Sequence, residues 1–239
     1  MSFALKNEKE LHDSCKTGEH DVVSYLLEAK TRATTFNNNG FPPLIVAASH
    51  GHSECVELLL QVGKGVTVDM PNRSGSDTAL SIVCGAYRSS TPFVEDQSSE
   101  QRASNNRARV ALNNRLLHVL SMLLQNGADM ASARRLGNTP LHTACTRGFC
   151  GAVEMLLPCF YIDNQNRRVD VDVKSPDASG RTPLHLASMH GHANVVEVLL
   201  QWDANPLVLD KSGASCLHNA ILNKHHDVVH AIFSGYCKY

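Results

Sequence analysis

The chain has 239 residues, is 43% hydrophobic but only 5% aromatic, and carries a net charge of −1. That balance gives no global attraction to nucleic acid or anionic lipid, and so few aromatics suit Leu/Ala/Val helix packing better than a sandwich or barrel. No apolar run reaches the roughly 18 residues of a membrane span, the amino terminus MSFALKNEKELHDSC lacks a secretory apolar stretch, and the eight cysteines form no CxxC pairs. The expected setting is therefore reducing, cytoplasmic or nuclear.

Leucines at 11, 44, 80, 141, 184 and 217 mark one recurring unit, with separations of 33, 36, 61, 43 and 33 residues. Seven residues after the marker come Gly18, Gly51, Tyr87, Gly148, Gly191 and Lys224. Paired apolar residues follow at Leu26–Leu27, Leu59–Leu60, Leu156–Leu157, Leu199–Leu200 and Ile232–Phe233. The third copy regains that register at Leu123–Leu124 once its extra residues are allowed for. Each unit predicts two short helices, neither long enough to hold its shape alone in water, so neighbouring copies must cover one another.

In chain order, the first unit (about 4–36) bears Lys6, Glu8, Lys9 and Glu10 on its first helix, the charged outer face a terminal copy needs. The second (37–73) is lengthened by three residues around Gly63 and Gly65. The third (74–133) holds an insertion at about 88–114: residues 88–99 are predicted as a mobile loop, and a helix is predicted from about Arg107 into LLHVLSMLL. The fourth (134–175) ends its second helix at Pro158 and is predicted to carry an elongated hairpin at about 158–170. The fifth (176–208), with Thr182 as cap, Pro183 in the first turn and Gly191 as stop, is the most regular copy. The sixth (209–239) keeps Val228, Val229, Ile232 and Phe233 on its last helix, so either the array continues in a longer protein or the final aromatics fold back over it.

The period, with TPLHTA at 139–144 and TPLHLA at 182–187, resembles the ankyrin-repeat family. SCLHNA at 215–220, PPLIVA at 42–47 and TALSIV at 78–83 are progressively weaker matches. The resemblance covers almost the whole chain and implies an all-α solenoid, a single domain of six helix-turn-helix repeats joined by short β-hairpin connections. It implies protein–protein recognition rather than catalysis, with partner contacts from hairpin tips and the exposed side of the first helices. Carried onto this chain, the main positions are Arg135, Asn138, Arg147, Arg181, Met189, His190, Lys211 and Asn223, with Asn39, Phe41, Ser49 and His50 as their counterparts in the second repeat.

Arg134, Arg135, Arg147 and Arg181 fall on adjacent repeats, and Arg167 and Arg168 on the predicted finger, so an acidic or phosphorylated peptide is the expected partner. Phe160, Tyr161 and Ile162 either pin the finger to the stack or form an exposed anchor. Cys15, Cys84, Cys145 and Cys55 fall at packing positions, whereas Cys150, Cys159, Cys216 and Cys237 are less constrained and free to be exposed. The family resemblance implies that His12, His142, His185 and His218 hydrogen-bond the neighbouring turn; His52, His192 and His225 share a second site. Repetition explains these histidines without a metal, and His225, His226 and His230 give only a weak ligand pattern. No cofactor, metal site, nucleic-acid partner or membrane insertion is expected. The alternative is that this is the targeting or regulatory portion of a longer enzyme, ubiquitin-ligase subunit or channel.

Overall fold

Thr139, Thr182 and Ser215 each close the amino end of a helix in the same way. The hydroxyl takes the backbone N–H three residues on, and the histidine there returns the favour: Thr182 N donates to His185 Nδ1 at 3.2 Å and Ser215 N to His218 Nδ1 at 3.2 Å. This is a capping box with imidazole in the place of the usual carboxylate or amide. A ring whose Nδ1 accepts carries its proton on Nε2, and His185 Nε2 donates to the Ala214 carbonyl at 3.2 Å. One side chain thus closes its own helix and holds the next connection.

In this computed structural model the described residues are 2–87, 99–131, 137–162 and 168–236. They form two compact units, 1–129 and 130–239. The first holds α1 (Ser2–Thr17), α2 (His20–Glu28), α3 (Pro43–His50), α4 (Ser53–Val62), α5 (Ala79–Ala86) and α6 (Ser99–Gln125). The second holds α7 (Pro140–Arg147), α8 (Cys150–Leu156), strands β1 (Phe160–Ile162) and β2 (Arg168–Asp170), α9 (Pro183–Met189), α10 (Ala193–Gln201), α11 (Cys216–Leu222) and α12 (His226–Tyr236).

Within each unit, first helices pack on first helices (α1 on α3, α3 on α5; α7 on α9, α9 on α11), and second helices follow suit. The marker leucines Leu11, Leu44, Leu80, Leu141 and Leu184 are buried, as are Cys15, Ala48, Cys84, Cys145 and Ser188 four residues later. In the sixth repeat the equivalent of that second column, Ile221, is 59% exposed, and Phe233 is exposed as well.

A glycine-histidine contact joins successive repeats. His52 Nε2 donates to Lys16 O, His192 Nε2 to Thr146 O and His225 Nε2 to Met189 O, each at 3.1 Å. Each ring lies against the glycine that ends the preceding first helix: a β-carbon on Gly18 or Gly148 would come within 2.5 Å of the ring, and one on Gly191 within 2.7 Å. These glycines also adopt φ between 72° and 86°, which a side chain disfavours. In the third repeat Arg115 stands in the histidine's place, 2.9 Å from a β-carbon on Gly51.

Two expectations need correcting. The helix predicted from about Arg107 begins at Ser99 and runs 27 residues. Its carboxyl half buries Leu116, Val119, Leu120 and Leu123 against α3, α4 and α5, and that anchored nucleus propagates backwards through residues without an apolar pattern, since extending a helix is far easier than starting one. The remainder of the predicted loop, 88–98, lies outside the described residues.

The connections are also turns rather than β-hairpins, β1 and β2 being the strands among the described residues. Asn37 N donates to Phe41 O, Asp177 N to Arg181 O and Asp210 N to Ala214 O, and each turn is closed by its own side-chain oxygen. Successive turns are tied by Arg73 N to Gly40 O at 2.8 Å and Lys211 N to Ser179 O at 3.0 Å. The elongated hairpin at 158–170 does form strands, β1 pairing antiparallel with β2 in the register Phe160–Asp170, Tyr161–Val169 and Ile162–Arg168.

Candidate partner-binding surface

The first helices of the repeats carry residues five and six positions after each marker leucine at their carboxyl ends. In the second unit these are Thr146 and Arg147, Met189 and His190, and Leu222 and Asn223. Arg147, His190 and Asn223 are exposed, Met189 is half-buried, and Leu222 is 77% exposed. His190 Nδ1 donates to Leu186 O at 2.9 Å and stacks on His192, with ring centroids 6.2 Å apart. Asn223 Nδ2 donates to Asn219 O at 2.8 Å. Polar and apolar side chains thus alternate along one face, with Arg147 at one end and Leu222 at the other.

Arg181 is engaged elsewhere. Its Nε lies 2.9 Å and a terminal nitrogen 2.8 Å from Asp177 Oδ2, a two-pronged ion pair on a carboxylate only 5% exposed. Burial opposes ionisation of Asp177, but donors from the Arg181 and Ser179 backbones and the Arg181 side chain outweigh it and hold the carboxyl below its ordinary range. The signal was present in the sequence as an aspartate four residues ahead of the arginine. Lys211 is similarly occupied, its Nζ donating to Ala178 O at 2.7 Å. Asn138 sits half-buried with its Oδ1 unpartnered among the described residues. Arg134, Arg135 and Arg167 lie outside the described residues, as do the side chains of Phe160, Tyr161, Ile162 and Arg168, which are placed only as members of β1 and β2.

The first unit holds a cavity of about 680 Å³ that sequence reasoning did not single out. One wall is α1, through Glu8, Lys9, His12, Asp13 and Lys16; the lip is the turn at Asn37, Asn38 and Asn39. Its floor is Phe41, Ile45, Val46 and Ile82, and Ser49 and His50 close one end. Only the Asn39, Phe41, Ser49 and His50 positions were legible, from their place in the repeat; the charged wall comes from α1 lying beside α3, which no local pattern announces. His12 is buried, and burial pushes its pKa down. Its Nδ1 has no partner among the described residues, because Lys9 stands where later repeats have the capping hydroxyl and α1 runs straight through that point.

Burial disfavours thiolate chemistry at several of the described cysteines. Cys15, Cys55, Cys84 and Cys145 are buried and outside any disulfide among the described residues, and so is Cys216, contrary to the expectation of freedom there. Cys216 occupies the column of Pro43, Ala79, Pro140 and Pro183, all buried, and donates its thiol to Pro206 O. Burial pushes the thiols of Cys55, Cys150 and Cys216 up to about 11, far from a thiolate at neutral pH. Cys150 and Cys159 are half-exposed, and Cys237 lies outside the described residues. Among the described residues no three His, Cys, Asp or Glu side chains gather to hold a metal, and no helix is long and apolar enough to cross a membrane. His225 is committed to Met189 O, and His230 to Ser234.

Comparison with known proteins places this architecture. Ankyrin-repeat family models match residues 4–72 and 164–239, and again 110–157. Human ankyrin repeat and SOCS box protein 16 is 26% identical over 160 residues, covering 62% of this chain and 35% of that protein. The chicken nuclear factor NF-kappa-B p105 subunit is 28% identical over 179 residues, covering 70% of this chain and 18% of that protein. The chain therefore spans about a third or less of these relatives. An ankyrin repeat domain of Acinetobacter baumannii AYE shares the fold, with a TM-score of 0.67 at 21% identity over 95% of this chain and 98% of that one. Matched by the family models over more than half its length, and built from stacked helix pairs, the chain belongs to the ankyrin-repeat family.

Proposed function

We propose that the chain acts by binding a partner protein and not by catalysis, and that its second unit receives an acidic or phosphorylated segment. Ankyrin repeats are a protein-interaction fold. The observation that carries the finer reading is the row Arg147, His190 and Asn223, exposed at one register, at the carboxyl ends of the successive first helices α7, α9 and α11. Arg147 supplies the cation for a carboxylate or phosphate, while Met189 and Leu222 supply apolar contact beyond it. Arg181, bound to Asp177, serves the scaffold and not the partner. Affinity capture from cell extract with the wild-type chain and with Arg147→Glu tests this: the acidic partner is lost from the variant, and capture unchanged by the reversal refutes the reading.

A second reading is supported by the small share of each relative that the chain spans. In it, these repeats are the targeting portion of a longer enzyme, ubiquitin-ligase subunit or channel. A transcript coding for catalytic or membrane segments in frame with this chain would establish it, and a transcript limited to these repeats would exclude it. The buried cysteines, none of them in a disulfide among the described residues, fit a reducing cytoplasmic or nuclear setting, which cell fractionation checks.

A further inference from the structure

We propose that the cavity of the first unit is a docking site for an extended, uncharged peptide segment of a partner protein, with a bulky apolar side chain seated on Phe41 and Ile82. This rests on the reading of the chain as a protein-binding module but concerns a different surface and a different partner chemistry from the Arg147 row.

Three observations fix the chemistry. The floor is apolar: Ile45 and Val46 are buried, while Phe41 and Ile82 are half-buried and face a cavity of about 680 Å³, room for one large side chain and the main chain on either side of it. The α1 wall is electrically balanced. Glu8 and Asp13 stand among Lys9 and Lys16, so a charged guest side chain meets its like within a helical turn, and buried His12 adds no cation because burial favours its neutral form. The lip is a run of carboxamides, with Asn38 and Asn39 exposed and Asn37 closing the turn through Asn39 N and Phe41 N. Carboxamides both donate and accept, which matches the N–H and C=O of an extended main chain and carries no preference for either charge.

The Arg147 row has the opposite character, an exposed cation with no ion pair among the described residues, so the two surfaces select different sequences.

A phage-displayed library of linear peptides panned on the full chain tests this, followed by fluorescence-polarisation titration of the recovered peptides. Wild type is compared with Ser49→Arg and Arg147→Glu. Ser49 lies at the end of the cavity, half-buried, at the repeat position that holds the exposed Lys16 in α1, so a long side chain there fills the cavity without entering the core. Asn39→Glu, at an exposed tip, is the second variant, and thermal melting of both checks the fold. The expected result is a set of near-neutral peptides sharing a bulky apolar residue, bound roughly tenfold or more weaker by Ser49→Arg and by Asn39→Glu and unchanged by Arg147→Glu. Acidic peptides that depend on Arg147 and ignore Ser49 would overturn this inference while leaving the proposed function standing. Peptides indifferent to every variant, or no enrichment at all, would overturn both.

Discussion

At the scale of single residues, the joint between repeats is one imidazole over one glycine. Gly148→Ala puts a β-carbon about 2.5 Å from His192 at a φ of 72°, so both contact and backbone oppose it. We expect a loss of about 2–4 kcal/mol in urea unfolding, of which roughly 1–2 is the left-handed backbone alone. Pairing the change with His192→Gly should recover the steric share and leave the backbone share, a non-additivity that a double-mutant cycle reads directly. Histidines at the joints and at the caps together set the acid limit of the fold. Burial leads the causes that lower the pKa of His12, His52, His142, His185 and His192. The unfolded chain therefore binds more protons than the folded one below the ordinary value of about 6.5, so this stabilisation is complete above that pH and is lost as pH falls beneath it. Melting temperature should hold steady from pH 8 to about 7 and decline from about 6.5 downward; a flat profile to pH 5 would contradict the assignment.

At the scale of elements, each first helix depends on its cap. Thr182→Val removes the hydroxyl that faces His185 at 2.9 Å while keeping the shape, and should cost about 1 kcal/mol by thermal melting. Asp177→Asn breaks the two-pronged pair with Arg181, leaving a guanidinium without its acid, and should cost about 1–3 kcal/mol. Such features were unevenly legible in the sequence. Helix pairs, caps and stops could be read because they depend on residues three or four apart: Thr182 and His185, Leu184 and Gly191. The start of α6 at Ser99 could not, because it is dictated by Leu116, Val119 and Leu120 packing many residues downstream. The hairpin position of Arg181 points towards the partner, while the closer fact, an aspartate four residues earlier, decides where the guanidinium goes. The cavity beneath Asn38 and Asn39 arises between α1 and α3, and pairwise spacing along the chain carries no information about that gap.

At the scale of the molecule, contact stays local: each helix pair touches the pair before and the pair after within its unit. Stability in such an array is a sum of small repeat terms and neighbour terms. The segment 130–239 has its own core in Leu141, Val153, Leu184, Val196 and Leu199, and we expect it to fold when expressed alone, with helical circular dichroism and a cooperative melt; a fragment without a melting transition would show otherwise.

Lys224, whose φ is 60°, occupies in the sixth repeat the place that Gly148 and Gly191 fill in the fourth and fifth. A protein engineer wishing to lengthen the array by grafting on another template unit would find its imidazole colliding with the lysine's β-carbon. The graft should take only with glycine installed at 224, or with a newcomer lacking the ring. In that sense the joint is keyed, and at Lys224 the keyhole is filled.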